Sequence, residues 1–200
     1  LIRANSLEDA KITTYHIGFV LGPCINASGR LDTAARSLAL LNAKTKEEAA
    51  RLAGDLTALN QSRKALTEKG KEEAIRIIET TELKNDRVLV VYLPDCHESL
   101  AGIIAGRIRE KYHRPAFVLT GGETSAKGSG RSIESYSMYE ELVKCADLMI
   151  QFGGHPMAAG LSIEEKNIEE FRRRLNVNCT LTDEELRPKI VIDVPMPVSY

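Results

Sequence analysis

Residues Gln151–Ile163 read QFGGHPMAAGLSI. A diglycine, a histidine, a proline and a run of small residues lead into a strand-like apolar stretch. Glycine lets a backbone approach a ligand at any φ. Gly153 and Gly154 are therefore candidates to turn main-chain N–H groups toward a phosphate or a sugar. His155 stands beside them as a hydrogen-bond donor or general acid. Ala158, Ala159 and Gly160 are too small to fill a core alone, so another backbone must pack closely on them. The simpler reading of the same residues is a tight turn with a partly buried histidine.

Immediately upstream, Gly121–Ile133 (GGETSAKGSGRSI) reads as a glycine-rich turn leading into a strand. It carries Lys127, Ser129, Arg131 and Ser132, and hydroxyl and guanidinium groups on such a segment suit a phosphate. An ordinary hairpin loop is the simpler reading of that composition. Before it, Arg87–Leu93 (RVLVVYL) has the continuous β-branched run of a strand buried on both faces. Asp95-Cys96-His97-Glu98 follows at its carboxyl end, where α/β sheets hold ligands. These are metal-type side chains, yet adjacent residues rarely converge on one ion. Ser99 is placed to cap a helix running to Tyr112, with Ile103, Ile104 and Ile108 inward. Gly102 and Gly106, four apart, predict close packing of that helix on the sheet. Pro115–Thr120 (PAFVLT) is the second strand, and the βαβ order predicts a parallel pair.

Downstream, Ser137-x-x-Glu140 predicts a capped helix reaching about Ile150. Asn167-x-x-Glu170 does the same for a last helix, with Ile168, Phe171 and Leu175 on one face and Arg172–Arg174 toward solvent. Thr182–Glu185 caps a further turn. Lys189–Pro197 (KIVIDVPMP) begins a strand that has no partner in the chain.

Toward the N-terminus, Thr45 to Thr80 reads as one helix opened by the Thr45-x-x-Glu48 capping pattern. Ala49, Leu52, Ala53, Leu56 and Leu59 keep one face, which resumes at Leu66, Ala74 and Ile77. About 35 residues span roughly 50 Å, and Gly54 and Gly70 each weaken the helix by about 1 kcal/mol against alanine. Gln61, Arg63 and Lys64 fall mid-helix on what reads as a solvated face. Ahead of it, Tyr15–Leu21 (YHIGFVL) reads as a short strand or loop broken at Gly22-Pro23. Arg30–Leu41 has helical spacing. The intervening NASGR places Asn26, Ser28 and Arg30 on a turn before that helix. The arrangement suits an anion, or else Ser28 caps the helix and Arg30 pairs with an acidic neighbour.

The bulk numbers narrow the class. The chain has 200 residues and a formal net charge of −1, so any contact with nucleic acid must be local. Trp is absent and aromatics make up 5%, which argues against a broad base-stacking platform. Cys24, Cys96, Cys145 and Cys179 lie far apart, as expected for reduced cytoplasmic thiols rather than a disulfide framework or zinc site. No signal peptide or membrane-length apolar run is present, so no membrane partner is expected. The first residue is Leu1 and the last lies in an apolar pattern, so the chain reads as a piece of a longer protein.

Three motifs carry a family resemblance. GGHPMAAG resembles the GGH-x-x-AAG signature of the DHHA1 domain of the DHH phosphoesterase superfamily. Gly22–Leu31 (GPCINASGRL) resembles the GPRINAAGRL segment of RecJ-type single-strand exonucleases, with Cys24 where that family has arginine. His97–Tyr112 with Arg114-Pro115 resembles a third RecJ segment, and the three occur in family order.

The resemblance implies an α/β fold: a DHHA1-type domain with a mixed β-sheet flanked by helices, preceded by a long connecting helix. It implies residues 1–44 as the C-terminal edge of a DHH domain, 45–80 as the connecting helix, 81–178 as DHHA1, and 179–200 as the start of an OB-fold domain. The implied activity is 5′-to-3′ hydrolysis of single-stranded DNA to mononucleotides in DNA repair and recombination. The implied cofactors are manganese or magnesium ions in the parent protein, held by aspartates and histidines of motifs absent here. On this reading the piece is inactive alone and binds no metal. Ser129 and Arg131 would bind the strand's 5′ end, Gly153, Gly154 and His155 a phosphate near the metals, and Arg30 would face the cleft. A single-strand-binding protein or helicase would be a partner of the parent. Two other readings remain: a DHH–DHHA1 phosphodiesterase acting on short oligonucleotides or cyclic dinucleotides, and a non-catalytic nucleic-acid-binding module.

Overall fold

The computed structural model describes residues 1–190 and 192–194. Among the described residues, the elements of the N-terminal part are all helical. A short helix α1 (Thr14–His16) runs into a π-helical stretch, Ile17–Leu21, and on into α2 (Gly22–Leu31). Tyr15–Leu21 is thus neither strand nor loop, and Gly22-Pro23 does not break the chain. In the widened turn the Gly22 N–H donates to the Ile17 carbonyl, and proline is tolerated in a helix's first turn, where its missing N–H has no partner to lose. The NASGR segment lies inside α2 rather than on a turn. Ser28 is buried there, bonded to the Ile25 carbonyl at 3.1 Å and to the Ser37 hydroxyl at 2.7 Å, and caps nothing. A separate helix α3 (Ala35–Asn42) follows.

The long helix is α4 (Lys46–Thr80), and Thr45 Oγ1 accepts from the Glu48 N–H at 3.1 Å. Its N-terminal half buries Leu52, Ala53 and Leu56, and its C-terminal half buries Ala74 and Ile78.

The remaining elements are β1 (Leu89–Leu93), α5 (Glu98–Tyr112), β2 (Ala116–Thr120), β3 (Ala126–Arg131), α6 (Met138–Val143), β4 (Met149–His155), β5 (Ala158–Ile163) and α7 (Ile168–Val177). The strands form one mixed sheet in the order β1-β2-β3-β5-β4, with β1 and β2 parallel and the other pairs antiparallel. The two predicted strands and their parallel pairing are as expected. The α5 cap is His97, whose Nδ1 accepts from the Ser99 N–H at 3.3 Å, and not Ser99.

Two further boundaries differ from expectation. Helix α6 ends at Val143, and the chain is already in β4 by Met149, so the helix expected to reach Ile150 is short. Ser137 makes no capping bond, and its buried hydroxyl has no partner. Asn167 likewise makes no cap; its Nδ2 donates to the Leu148 carbonyl at 3.1 Å. The Thr182–Glu185 box is present in both directions, at 2.8 and 3.3 Å. The expected strand Lys189–Pro197 falls largely outside the described residues, and Lys189 and Ile190 are not in a strand.

The sheet is buried on both faces over β1 and β2, which is why their sequences are unbroken apolar runs. One face packs Leu89, Val91, Ala116 and Val118 under α5 (Ile104, Ala105, Ile108) and the end of α4 (Ala74, Ile78). The other packs Val90, Phe117, Leu119 and Leu161 under α6 (Leu142) and α7 (Phe171, Leu175). Phe117 and Phe171 meet edge to face at 5.4 Å, a geometry worth about 1 kcal/mol beyond its buried area. Arg172 does not face solvent as expected: its Nε and Nη2 clasp the two Asp86 carboxylate oxygens at 2.6 and 3.2 Å. One residue of α7 fixes the start of β1. Asn176 Oδ1 accepts from the N–H groups of Arg87 and Val88 at 2.9 and 3.0 Å, and its Nδ2 donates to the Val88 carbonyl at 3.0 Å.

Candidate nucleic-acid interface

Strand alternation decides which side chains meet. Ala126, Gly128 and Gly130 point to the α6–α7 side, so Lys127, Ser129 and Arg131 share the α5 side. The register then gives three rows across β3, β5 and β4: Lys127–Ser162–Gln151, Ser129–Gly160–Gly153, and Arg131–Ala158–His155. Helix α5 packs over β2 and β3, and the rows open to solvent beyond it, toward β4. With Glu98, Ser99 and Ala101 of α5 as its rim, the first two rows line a groove of about 630 Å³, and the Arg131–Ala158–His155 row lies beside it. The Gly160–Gly153 part of its floor is bare backbone, and nothing lies within 4 Å of a Cβ built at Gly153. The floor is flanked by the Ser129 and Ser162 hydroxyls and by Lys127, with the Glu98 side chain on the rim. Lys127 Nζ is 3.2 Å from the Ser162 hydroxyl on one side of that floor.

The diglycine is extended, not turned. Gly153, Gly154 and His155 belong to β4, and the turn is Pro156-Met157, closed by the pair His155–Ala158. The two glycines face opposite ways. Gly153 looks into the groove. Gly154 has φ +154°, and a Cβ there would come within 2.4 Å of the Ala158 carbonyl oxygen, so close strand packing demands glycine. His155 is exposed, and its Nδ1 accepts from the Met157 N–H at 3.3 Å, which leaves Nε2 as the donor of the neutral ring. Strand β4 is an edge of the sheet, so alternate N–H groups along it are free of strand partners.

Arg131 and Ser129 are also on a strand rather than on a loop. Gly102 and Gly106 of α5 do more than let a helix approach the sheet: they make room for these two side chains. A Cβ at Gly102 would stand 2.8 Å from Arg131 Nη2 and 3.0 Å from Ser129 Oγ. Arg131 Nη1 donates to the Gly130 carbonyl at 2.7 Å. Burial pushes the Arg131 pKa down, and the nearby charges of Arg30 and Arg109 push it the same way.

Arg30 reaches the groove rim from the end of α2. Its Nη1 donates to the Ser99 carbonyl at 2.8 Å, and the Ser99 hydroxyl donates back to the Arg30 carbonyl at 2.9 Å. The acidic neighbour that could have neutralised it is taken, because Asp32 pairs with Arg36 at 2.5 Å. Arg63, expected on a solvated face, is instead half-buried on α4. Its Nε and Nη2 both donate to Asn60 Oδ1, at 3.1 and 3.0 Å. Its pKa is lowered first by burial and then by Arg30. Among the described residues, Arg30, Arg63 and Arg131 form no ion pair with any carboxylate. The one signal for Arg63 in the sequence is its three-residue spacing from Asn60, a polar residue on the buried face of the helix. The spacing of Gly102, Gly106 and Arg109 similarly puts all three on one side of α5.

Among the described residues no three His, Cys, Asp or Glu side chains converge as a metal site. Asp95, Cys96, His97 and Glu98 follow one another without gathering, so the side chains present do not fit a divalent-metal centre. No helix of the described residues is long and apolar enough to cross a membrane.

The fold is an α/β domain with a glycine-floored groove on a five-stranded mixed sheet, and Arg30 and Arg131 at its edge are in no ion pair among the described residues. Residues 85–179 match the model of the DHHA1 domain. Over its whole length the chain is RecJ-like. It is 37% identical over 209 residues to the single-stranded-DNA-specific exonuclease RecJ of Salmonella typhimurium, covering 100% of this chain and 36% of that protein. To RecJ of Bacillus subtilis it is 36% identical over 198 residues, covering 97% and 25%. The manganese complex of RecJ from Thermus thermophilus superposes with a TM-score of 0.77 at 30% identity, covering 88% of this chain and 26% of that one. A second solved exonuclease RecJ, bound to manganese, gives 0.75 at 30% identity, covering 87% and 43%. The chain carries a DHHA1 domain and is similar to RecJ along its whole length; it spans about a third of the length of the first curated relatives it matches.

Proposed function

We propose that this chain is the strand-end-binding part of a single-stranded-DNA-specific exonuclease acting from the 5′ end. The observation that carries this is the pair Arg30 and Arg131. Both guanidiniums stand at the edge of one groove, neither is in an ion pair among the described residues, and Arg30 disfavours the charge of Arg131 until an anion arrives. Arg131 and Ser129 take the 5′-terminal phosphate, Arg30 closes over it from the rim, and Gly153, Gly154 and His155 accompany the first nucleotide. The likeness extends over residues 1–84 as well as the DHHA1 domain, which favours a nuclease over a stand-alone binding module.

The relatives are solved with manganese or magnesium, and we place the ligands of such ions in the parent outside this chain. When bound, two such ions orient water and stabilise displacement at phosphorus. We assign residues 1–44 to the edge of the catalytic DHH domain. Tyr15, Phe19, Leu38 and Leu41 are between 61 and 71% exposed there, an apolar surface suited to a neighbouring domain. Residues 45–80 join it to DHHA1 at 81–178, and 179–200 begin the next domain. The setting we propose is cytoplasmic DNA repair and recombination.

The test is fluorescence anisotropy with short 5′-phosphorylated, 5′-hydroxyl and duplex oligonucleotides, together with nucleotide release in manganese. Preference for the phosphorylated single strand, with no release by this chain alone, is the expected outcome. Equal binding to all three DNAs would sink the reading.

A further inference from the structure

We infer that the Lys127 end of the groove reads the base of the 5′-terminal nucleotide and prefers guanine to adenine there. This rests on the strand-end reading above and adds a base subsite to it. Charge leaves that end for a neutral group. The charged side chains at the groove are Arg30, Arg131 and Lys127, with Glu98 on the rim. His155 ends the Arg131 row and is counted neutral. Arg109, near Arg131, has Glu110 at 3.9 Å. Three cations against one carboxylate leave a surplus of two. A terminal phosphate carries about −1.5 to −2 at neutral pH, which uses that surplus up. A second phosphate over Lys127 would go unbalanced; a base would not.

The layout fits one nucleotide. Arg131 and Lys127 share a face of β3 four residues apart, roughly 13 Å along the strand, with Ser129 between them. A 5′-nucleotide laid along the strand spans that gap from phosphate to base edge. Between the two ends the floor is bare. Gly153 and Gly160 are cross-strand partners, and only the Gly128 carbonyl oxygen, 3.8 Å from a Cβ at Gly160, comes within 4 Å of a Cβ built at either. Backbone without side chains lets a ring come into contact with it.

The row at the far end supplies the reading groups. Lys127 Nζ donates to the Ser162 hydroxyl at 3.2 Å and keeps its other protons free. Ser162 lines the groove and is 5% exposed, and its own hydroxyl proton has no acceptor among the described residues. A buried donor left without an acceptor calls for one from a ligand. Gln151 completes the row with an amide that both donates and accepts. Guanine offers O6 and N7 side by side, a common target of lysine, whereas adenine puts an amino donor in place of O6. Donors facing that amino group stay unpaired.

The test uses the full-length protein in EDTA, so that nothing is cleaved. Short 5′-phosphorylated strands that differ only in the terminal unit, dG, dA or an abasic sugar, compete for binding in fluorescence anisotropy. The dG strand is expected to bind about tenfold tighter than the dA strand, and the abasic strand weakest. Lys127→Met, which keeps the stem and removes the charge, is expected to bring dG and dA together and leave the abasic strand unchanged. Gly153→Val puts a side chain on the open floor and is expected to drop both purine strands to the abasic level. Equal affinity for dG and dA in the unaltered protein would overturn the inference. So would equal loss of all three strands in Lys127→Met, which would place the lysine on a phosphate, or purine affinities untouched by Gly153→Val. The 5′-hydroxyl forms of the same strands keep the two readings apart. If removing the phosphate changes nothing, the strand-end reading fails and this inference with it. If the phosphate matters and the base does not, this inference alone fails.

Discussion

The Arg131 guanidinium lies against Gly102, so that a Cβ on that glycine would stand 2.8 Å from Nη2. The helix residue is empty so that the strand residue can be full. The consequence for stability and the consequence for binding have opposite signs, which makes the pair separable by experiment.

Gly102→Ala adds a methyl within α5, where alanine is favoured over glycine by about 1 kcal/mol. The atoms it meets are the ends of two side chains, which can swing away. The fold is therefore expected to hold or gain slightly in Tm. Binding of 5′-phosphorylated single strands is expected to fall by about tenfold, because Arg131 and Ser129 are displaced together. Thermal melting and anisotropy on the same variant check both signs. Unchanged binding would mean that Arg131 reaches its ligand from another rotamer.

The clasp between Arg172 and Asp86 is the best-shielded ion pair among the described residues, with side chains 19 and 14% exposed. Removing one partner leaves the other charge poorly solvated. Asp86→Asn is expected to cost about 3 kcal/mol in urea unfolding. It should leave ligand binding alone, since the pair lies at the α7 end of β1, away from the groove. A cost below about 0.5 kcal/mol would show that solvent reaches the pair freely.

Glu170 accepts from Arg173 first and Arg174 second, and together they hold its carboxyl down to about 2. A carboxyl depressed below its unfolded value, about 4.3, adds stability that is fully present above that value. The contribution is lost as pH falls toward 2. Proton NMR titration of the Glu170 side chain checks the midpoint, and acid unfolding of Glu170→Gln checks the linkage. A midpoint near 4 would mean that water screens both arginines on this exposed face.

The parts of the fold that sequence made legible are those fixed locally. Thr45-x-x-Glu48 opens a helix by a bond between neighbours, and the apolar runs around Val90 and Val118 declare strands buried on both sides. Elements whose form depends on distant partners were read less well. YHIGFVL suits a strand or a helix equally by composition, and it is helical as a continuous lead into α2. GGH has every local mark of a turn, yet pairing with Ala158–Gly160 straightens it, and the turn moves to Pro156-Met157. The chemistry divides in the same way. Ser129, Arg131, Gly153 and His155 stand out because they cluster in motifs, and the sheet register brings them to one face. Arg63 reads as solvated, and its burial beside Asn60 follows from the approach of α2 to α4, which no spacing along the chain reports.

Arg131 gives the sharpest test of the strand-end assignment. A terminal phosphate offers two negative charges and three oxygens, and arginine's planar fork can hold two of those oxygens at once. Lysine keeps the charge and loses the fork. In the full-length protein, Arg131→Lys is expected to narrow the advantage of 5′-phosphorylated over 5′-hydroxyl strands. Arg131→Ala should go further, with a charge-assisted contact of about 1.5–3 kcal/mol at stake, or roughly tenfold to a hundredfold. A structural role would require an acidic partner such as Glu134, and among the described residues Arg131 has none. What Arg131 does have is a bond to its neighbour's carbonyl and two nearby arginines that disfavour its charge. Removing it should therefore relieve repulsion, and Tm should hold or rise while the phosphate preference falls. The rate ratio for the two strand ends and the melting temperature, measured on the same variants, decide the matter. A ratio that stays at its original value would mean that Arg131 does not read the strand end.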